Sequence, residues 1–156
     1  MKRAGLVLAC VGFLFVFCLG FAVAQERASR DECVAKCKEA GALIKEVGVE
    51  AAMAKIQDPK GPFVWKDSYV YASDLDGKVL AHPMAPGMVG HNMRGMKDPN
   101  GKMFVTELLE VAKDKGEGWI EYMWAKPHEE KLSHKVTYVL RVPGQPIYVA
   151  AGMYED

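Results

Sequence analysis

The hydrophobic positions of this chain change spacing several times, and each change predicts a different element. From Ala4 to Ala24 the chain is uncharged and strongly apolar over 21 residues, after Lys2 and Arg3 and ending in Ala22-Val23-Ala24. A basic start, an apolar middle and a small-residue end are the layout of a secretory signal, with cleavage expected before Gln25. The run exceeds the ~7–15 residues of a usual signal core and approaches the ~20 that span a bilayer, so an uncleaved anchor is the alternative. Cleavage is favoured because the polar QERASRDE that follows carries no stop-transfer pattern.

Steps of four and three residues then link Cys33, Cys37, Ala40, Ile44, Val47, Ala51 and Ala54. They predict a long amphipathic helix from about Arg30, interrupted at Gly48, with a short second piece, VEAAMAKI, ending at DPKGP. Beyond it, SYVYASDLDGKVLAHP reads as two short strands joined at Asp76-Gly77, a dipeptide suited to tight turns because glycine accepts positive φ. Asp74 and Asp76 lack the twelve-residue ligand series of a calcium loop, so a turn is the expected role. MFVTELLEVAKDKGEG predicts a helix with Phe104, Leu108, Val111 and Ala112 on one side, stopped by Gly116 and Gly118. WIEYMWAKP, KVTYVLRVP and IYVAAGMYED are three strands rich in aromatic and β-branched residues. One five-stranded antiparallel sheet, with the amino-terminal helix on one face and the central loop and helix on the other, would bury every apolar face, an α+β arrangement.

Charge narrows the function classes. Lys and Arg equal Asp and Glu at 20 each over the whole chain, and loss of Lys2 and Arg3 with the leader leaves residues 25–156 slightly acidic. No basic tract supports a nucleic-acid partner. Residues 25–156 have the length of one domain. Cys10 and Cys18 fall in the leader, leaving Cys33 and Cys37 four apart. On a helix such positions have Cβ atoms ~5–6 Å apart, wider than the ~3.5–4.5 Å of a disulfide. Core packing is therefore favoured over a redox-labile bridge or metal ligation, and no CxxC or CxxCH motif is present.

The succession YVYASDLDGKVLAHP, GMVGHNM, KDPNGKMFVTELLEVAKDKGEGWIEYMWAKP and KVTYVLRVPGQPIYVAAGMY resembles an extracytoplasmic single Cache domain, as found in bacterial chemoreceptors and sensor kinases. The likeness covers roughly residues 30 to 154. It implies a PAS-like fold, with a long helix on an antiparallel sheet and a small-molecule pocket beside that sheet. The ligands it implies are small carboxylates, amino acids, amines or urea-like compounds. Only Glu155 and Asp156 follow Tyr154, so a free-standing binding protein that serves a separate membrane receptor or sensor kinase is expected. It is placed in the periplasm, or at the membrane if residues 4–24 are retained. Any homodimer is expected to form through the amino-terminal helix.

The stretch HPMAPGMVGHNMRGM, residues 82 to 96, gathers two histidines and four methionines. Within the resemblance His82, Pro83, Gly90 and Asn92 have places, whereas the methionines do not. Thioether and imidazole suit copper(I), and a site from His82, Met88, His91, Met93 and Met96 would make the chain a periplasmic copper-binding protein. The favoured reading makes the methionines lining for a pocket, since methionine fills irregular gaps. For a small anion the candidates are Tyr71, His82, Arg94, Tyr122, Trp124 and Tyr138. Arg94 is one of four arginines beyond the leader and is the expected carboxylate clamp. No nucleophile elbow, HExxH or cofactor motif argues for an enzyme, and HEEKLSH (His128 to His134) reads as a solvated hairpin tip.

Overall fold

The computed structural model describes residues 26–155; the expected leader, with Cys10 and Cys18, lies outside them. Helix α1 (Arg30–Val47) begins at a reciprocal cap: the Ser29 hydroxyl accepts from the Glu32 amide and the Glu32 carboxylate accepts from the Ser29 amide. Its stripe of Cys33, Cys37, Ala40 and Ile44 is buried, and both cysteines are free thiols. Gly48, at φ 82°, ends α1 and starts α2 (Val49–Gln57). That break resets the helical phase. Ala52 and Ile56 are the buried residues of α2, whereas Val47, Ala51 and Ala54, expected to continue the stripe, are exposed. Among the described residues no helix is long and apolar enough to cross a membrane.

The sheet has six strands: β1 (Val64–Trp65), β2 (Ser68–Asp74), β3 (Val79–Ala81), β4 (Glu117–Ala125), β5 (Leu132–Arg141) and β6 (Ile147–Glu155). The order is β1-β2-β6-β5-β4, every pairing is antiparallel, and β3 also pairs with β2. The five expected strands are all present. The sixth, β1, is two residues long, too short to show any alternation. In the β2–β3 turn the Asp74 carboxylate accepts from the amides of Asp76 and Lys78, and Gly77 takes φ 98°. Asp74 thus acts as a turn acceptor. Helix α3 (Phe104–Asp114) stops at Gly116, φ 82°, and Gly118 lies inside β4 and not at the helix end.

Side chains alternate across the sheet, so each strand serves two layers. Helix α1 packs on β6, β5 and β2, and α3 covers β4 and β5 on the other face. Under α1 lie Val70, Ala72, Val149 and Ala151, small or branched residues that pack closely with Cys33, Cys37 and Ala40. The α3 face carries Tyr69, Tyr71, Tyr122, Val139 and Tyr148 instead.

Candidate functional site

The α3 face is where the sheet turns aromatic, and the loop between β3 and α3 closes over it. That loop is tied down at both ends. Near β3, the Val79 amide donates to the His91 carbonyl, the Gly90 amide to the Val79 carbonyl and the Met93 amide to the Gly77 carbonyl. Near α3, the Asp98 carboxylate accepts from the amides of Asn100, Lys102 and Met123, bolting the loop to the edge strand β4. Ahead of the loop residues that make these ties, a short 3-10 turn, Pro86–Met88, places its methionine in the lining of the space over the sheet.

The enclosed space is small. A cavity of about 30 Å³ has Tyr69, Tyr71, Tyr122 and Trp124 as its floor. His82, Met88 and Met93 of the loop and Phe104 and Val105 of α3 close it. A wider cleft of about 450 Å³ opens outward beside it and shares Tyr69, His82 and Trp124. Those three side chains form the wall between cavity and cleft.

His82 is held neutral in one tautomer. Its Nδ1 accepts from the Ala85 amide at 2.9 Å, so the ring proton sits on Nε2. Burial, then the nearby positive charge of Lys135, push its pKa down to about 3. The ring stacks on Tyr71 at 5.4 Å and tilts against Tyr69 at 4.9 Å. Burial likewise raises the hydroxyls of Tyr71 and Tyr122, and that of Tyr148 to about 12, so these phenols remain neutral.

The charge of the site comes from a residue absent from the sequence-based candidates. Lys135 of β5 is 1% exposed, and its Nζ donates to the Tyr69 hydroxyl at 3.1 Å beneath the cavity wall. Its ammonium also lies over the rings of Tyr69 and Tyr154, at 4.2 and 5.1 Å. Burial works against the charge, but the hydrogen bond to Tyr69 and the electron-rich faces of Tyr69 and Tyr154 favour it, so the pKa is raised and the lysine is charged. Among the described residues no carboxylate pairs with it. The stem is accommodated by Gly152 on β6, where a Cβ would lie 2.5 Å from Lys135 Cε and from Thr137 Oγ1. The Trp124 indole N–H donates to the same Tyr69 oxygen at 3.0 Å. With both lone pairs engaged, the Tyr69 hydroxyl must donate its own proton elsewhere. Two hydrogen-bond donors, Tyr69 O–H and His82 Nε2–H, thus sit at the cavity wall with a cation behind one of them.

Of the sequence-based candidates, Tyr71, His82, Tyr122 and Trp124 meet at the cavity, as do Met88 and Met93. Tyr138 points to the α1 face, its ring 5.2 Å from Trp119 and its hydroxyl donating to Glu117. Arg94 and His91 are exposed and do not line the cavity. Met96 packs at the margin of the aromatic cluster. Among the described residues no group of three His, Cys, Asp or Glu side chains is arranged for a metal. A copper(I) ion on Nε2 would require the proton on Nδ1, where it would face the Ala85 N–H. The sequence did hold a signal for Lys135, namely a glycine inside the strand IYVAAGMYE, since strand glycines mark close approach of another group.

A long helix and a loop-plus-helix on opposite faces of an antiparallel sheet, with a cavity beside it, define a PAS-like sensor domain. The chain belongs to the single Cache domain 2 family, whose sequence profile matches residues 36–156. It is similar to the sensor histidine kinase MctS of Rhizobium johnstonii, 33% identical over 91 residues, or 58% of this chain and 20% of that protein. It is also similar to the methyl-accepting chemotaxis protein McpP of Pseudomonas putida, 24% identical over 117 residues, or 75% of this chain and 21% of that protein. The chain therefore spans about a fifth of the length of these curated relatives. Among solved structures, a methyl-accepting chemotaxis protein from Vibrio parahaemolyticus superposes with TM-score 0.68 at 23% identity, covering 81% of this chain and 88% of that one. A Cache chemosensory domain described for carboxylic acid recognition gives TM-score 0.65 at 27% identity, covering 76% and 79%.

Proposed function

We propose that the chain is an extracytoplasmic sensing domain whose cavity takes a short monocarboxylate, and that a membrane receptor or sensor kinase reads its occupancy. The observation that carries the ligand class is Lys135: a buried ammonium with no carboxylate partner among the described residues, set behind the Tyr69 donor at the cavity wall. An incoming carboxylate would accept from Tyr69 O–H and His82 Nε2–H and supply the missing negative charge. A cationic amine would meet Lys135 with like charge, and a urea-like molecule would leave the ammonium uncompensated. Size supports the same class, because about 30 Å³ is roughly twice what one water needs by the same measure, room for a few heavy atoms. The likeness to the carboxylic-acid-recognising Cache domain agrees with this choice. The names of the two curated relatives, a sensor kinase and a chemotaxis protein, support the signalling role.

Copper is the second reading, favoured by the meeting of His82, Met88 and Met93 at one cavity. The Nε2-protonated imidazole and the neighbouring ammonium weigh against it. The test is calorimetry and thermal shift of the purified chain with acetate, propionate, pyruvate, propylamine, urea and chelator-buffered copper(I). Saturable binding confined to the acids supports the proposal. Binding of the amine or of copper(I) alone overturns it.

A further inference from the structure

We infer that Gln57, the last residue of α2, is the positioning residue of the ligand site, holding His82 in its donor orientation and tying that orientation to the amino-terminal helices. The inference rests on the carboxylate reading for its binding consequence, but not for its geometry. The Gln57 amide grips both polar groups of the His82 main chain: Oε1 accepts from the His82 N–H at 2.7 Å and Nε2 donates to the His82 carbonyl at 3.1 Å. This two-way contact continues, from a helix side chain, the kind of pairing that β3 ends at Ala81. It fixes the backbone of the one residue whose ring must point Nδ1 at the Ala85 amide and Nε2 at the cavity wall.

His82 is therefore held from three sides. Gln57 holds its main chain, the Ala85 N–H holds Nδ1, and the rings of Tyr69 and Tyr71 hold the imidazole plane. Gln57 also lines the outer groove between α2 and the loop, together with Met53, Leu80, Pro86 and Val89. A shift of the loop on ligand contact must carry His82, and through Gln57 it must load the end of α2. Gly48, φ 82°, leaves α2 joined to α1 by a single bent residue, so α2 is the part of the helical layer that meets the site.

The experiment compares the full chain with Gln57→Ala and Gln57→Glu, using propionate as the probe and long-range proton–nitrogen spectra of the histidine ring as the second readout. The parent is expected to show the Nε2-protonated tautomer. Gln57→Ala is expected to bind propionate about tenfold more weakly, the loss that follows when a preorganised donor becomes mobile, and to show mixed His82 tautomers. Gln57→Glu keeps the acceptor for the His82 N–H and is expected to fall between the two. Unchanged tautomer and unchanged affinity in the folded variants overturn the inference. If the parent binds no carboxylate, the ligand reading fails, while the tautomer spectra still decide the role of Gln57. If Gln57→Ala does not fold, Gln57→Glu decides it by the same spectra.

Discussion

The two faces of one sheet are built from neighbouring residues of the same strands, yet they do opposite work. On β2, Val70 and Ala72 face α1 while Tyr69 and Tyr71 face the cavity; on β6, Val149 and Ala151 alternate with Tyr148 and Gly152. Apart from Tyr138 and Trp119, the α1 face is small or branched, with a helix laid directly on it. The cavity face is aromatic, hydroxylated and built around one buried ammonium. Close packing beneath a helix leaves no gap, whereas large rings on the other face leave the cavity. Scaffold and cavity lining are therefore one residue step apart along each strand.

Removing the buried charge from the cavity face is expected to have the greatest consequence. Lys135→Met keeps an unbranched stem in the channel beside Gly152 and removes the cation. Propionate affinity is expected to fall about a hundredfold, since a carboxylate a few ångströms from the ammonium behind Tyr69 would lose a charge–charge attraction of about 3 kcal/mol at an effective dielectric of about 20. The melting temperature is expected to move little, because an apolar residue of similar volume replaces a buried charge. Calorimetry that finds binding intact would remove Lys135 from the site.

Gly152→Ala fills the gap on the cavity face that the lysine stem occupies. The added Cβ would meet Lys135 Cε and Thr137 Oγ1 at 2.5 Å, so the lysine stem must move. A loss of about 2 kcal/mol in stability is expected, read by urea denaturation, together with weaker acid binding. Ala150→Gly, on the same face of the same strand, serves as the control that leaves Lys135 undisturbed.

His82 makes the comparison pH-dependent. Its folded pKa of about 3 lies below the ordinary 6.5, so the unfolded chain binds the proton that the folded chain refuses. Stability from this group is complete above pH 6.5 and declines as pH falls below it, down to pH 3. Between pH 7.5 and 5.5 the loss is about 1.4 kcal/mol. His82→Asn, whose Oδ1 can still accept from the Ala85 N–H, is expected to remove that part of the slope in melts across this range. A slope equal to the parent's would assign the titration to another group.

Which parts of this were legible in the sequence follows from what each signal depends on. The helix stripe through Cys33 and Ile44, the Asp76-Gly77 turn and the five longer strands were readable because periodicity and turn chemistry are local. Gly48 was seen to interrupt, but the phase slip it introduces moved burial from Ala51 and Ala54 to Ala52 and Ile56. Tyr122 and Trp124 could be paired because alternation within a strand assigns a shared face, whereas His82 was placed by the family resemblance; with Tyr71 they line one cavity. Lys135 was marked only indirectly, by the strand glycine at 152, because a lysine at the start of an apolar run looks like a solvated strand end. Its burial is set by Gly152 and Tyr69 on β6 and β2, distant in sequence. Tyr138 illustrates the complementary failure, since the alternation that assigns a face does not say which of the two faces carries the cavity.

The smallest expected effects test residues that belong to neither side of the cavity. Arg94 is exposed, with its carbonyl accepting from the Thr106 hydroxyl, and its side chain lies outside the cavity lining. Arg94→Ala is expected to leave propionate affinity within about twofold and stability within about 0.5 kcal/mol, the range of ordinary surface substitutions. Tyr138→Phe on the α1 face loses its hydrogen bond to Glu117 and is likewise expected to leave affinity unchanged, at a stability cost of about 1 kcal/mol. The pair makes a strict test, because both residues carry groups that recognise carboxylates elsewhere and differ from Lys135 only in where the fold places them. A large loss of binding in Arg94→Ala, with Lys135→Met unaffected, would move the anion-binding charge from the cavity face of the sheet to the loop above it. The cavity would then be closed by the ligand's own ion pair with a mobile arginine, and the buried lysine would be a structural cation held by tyrosine rings.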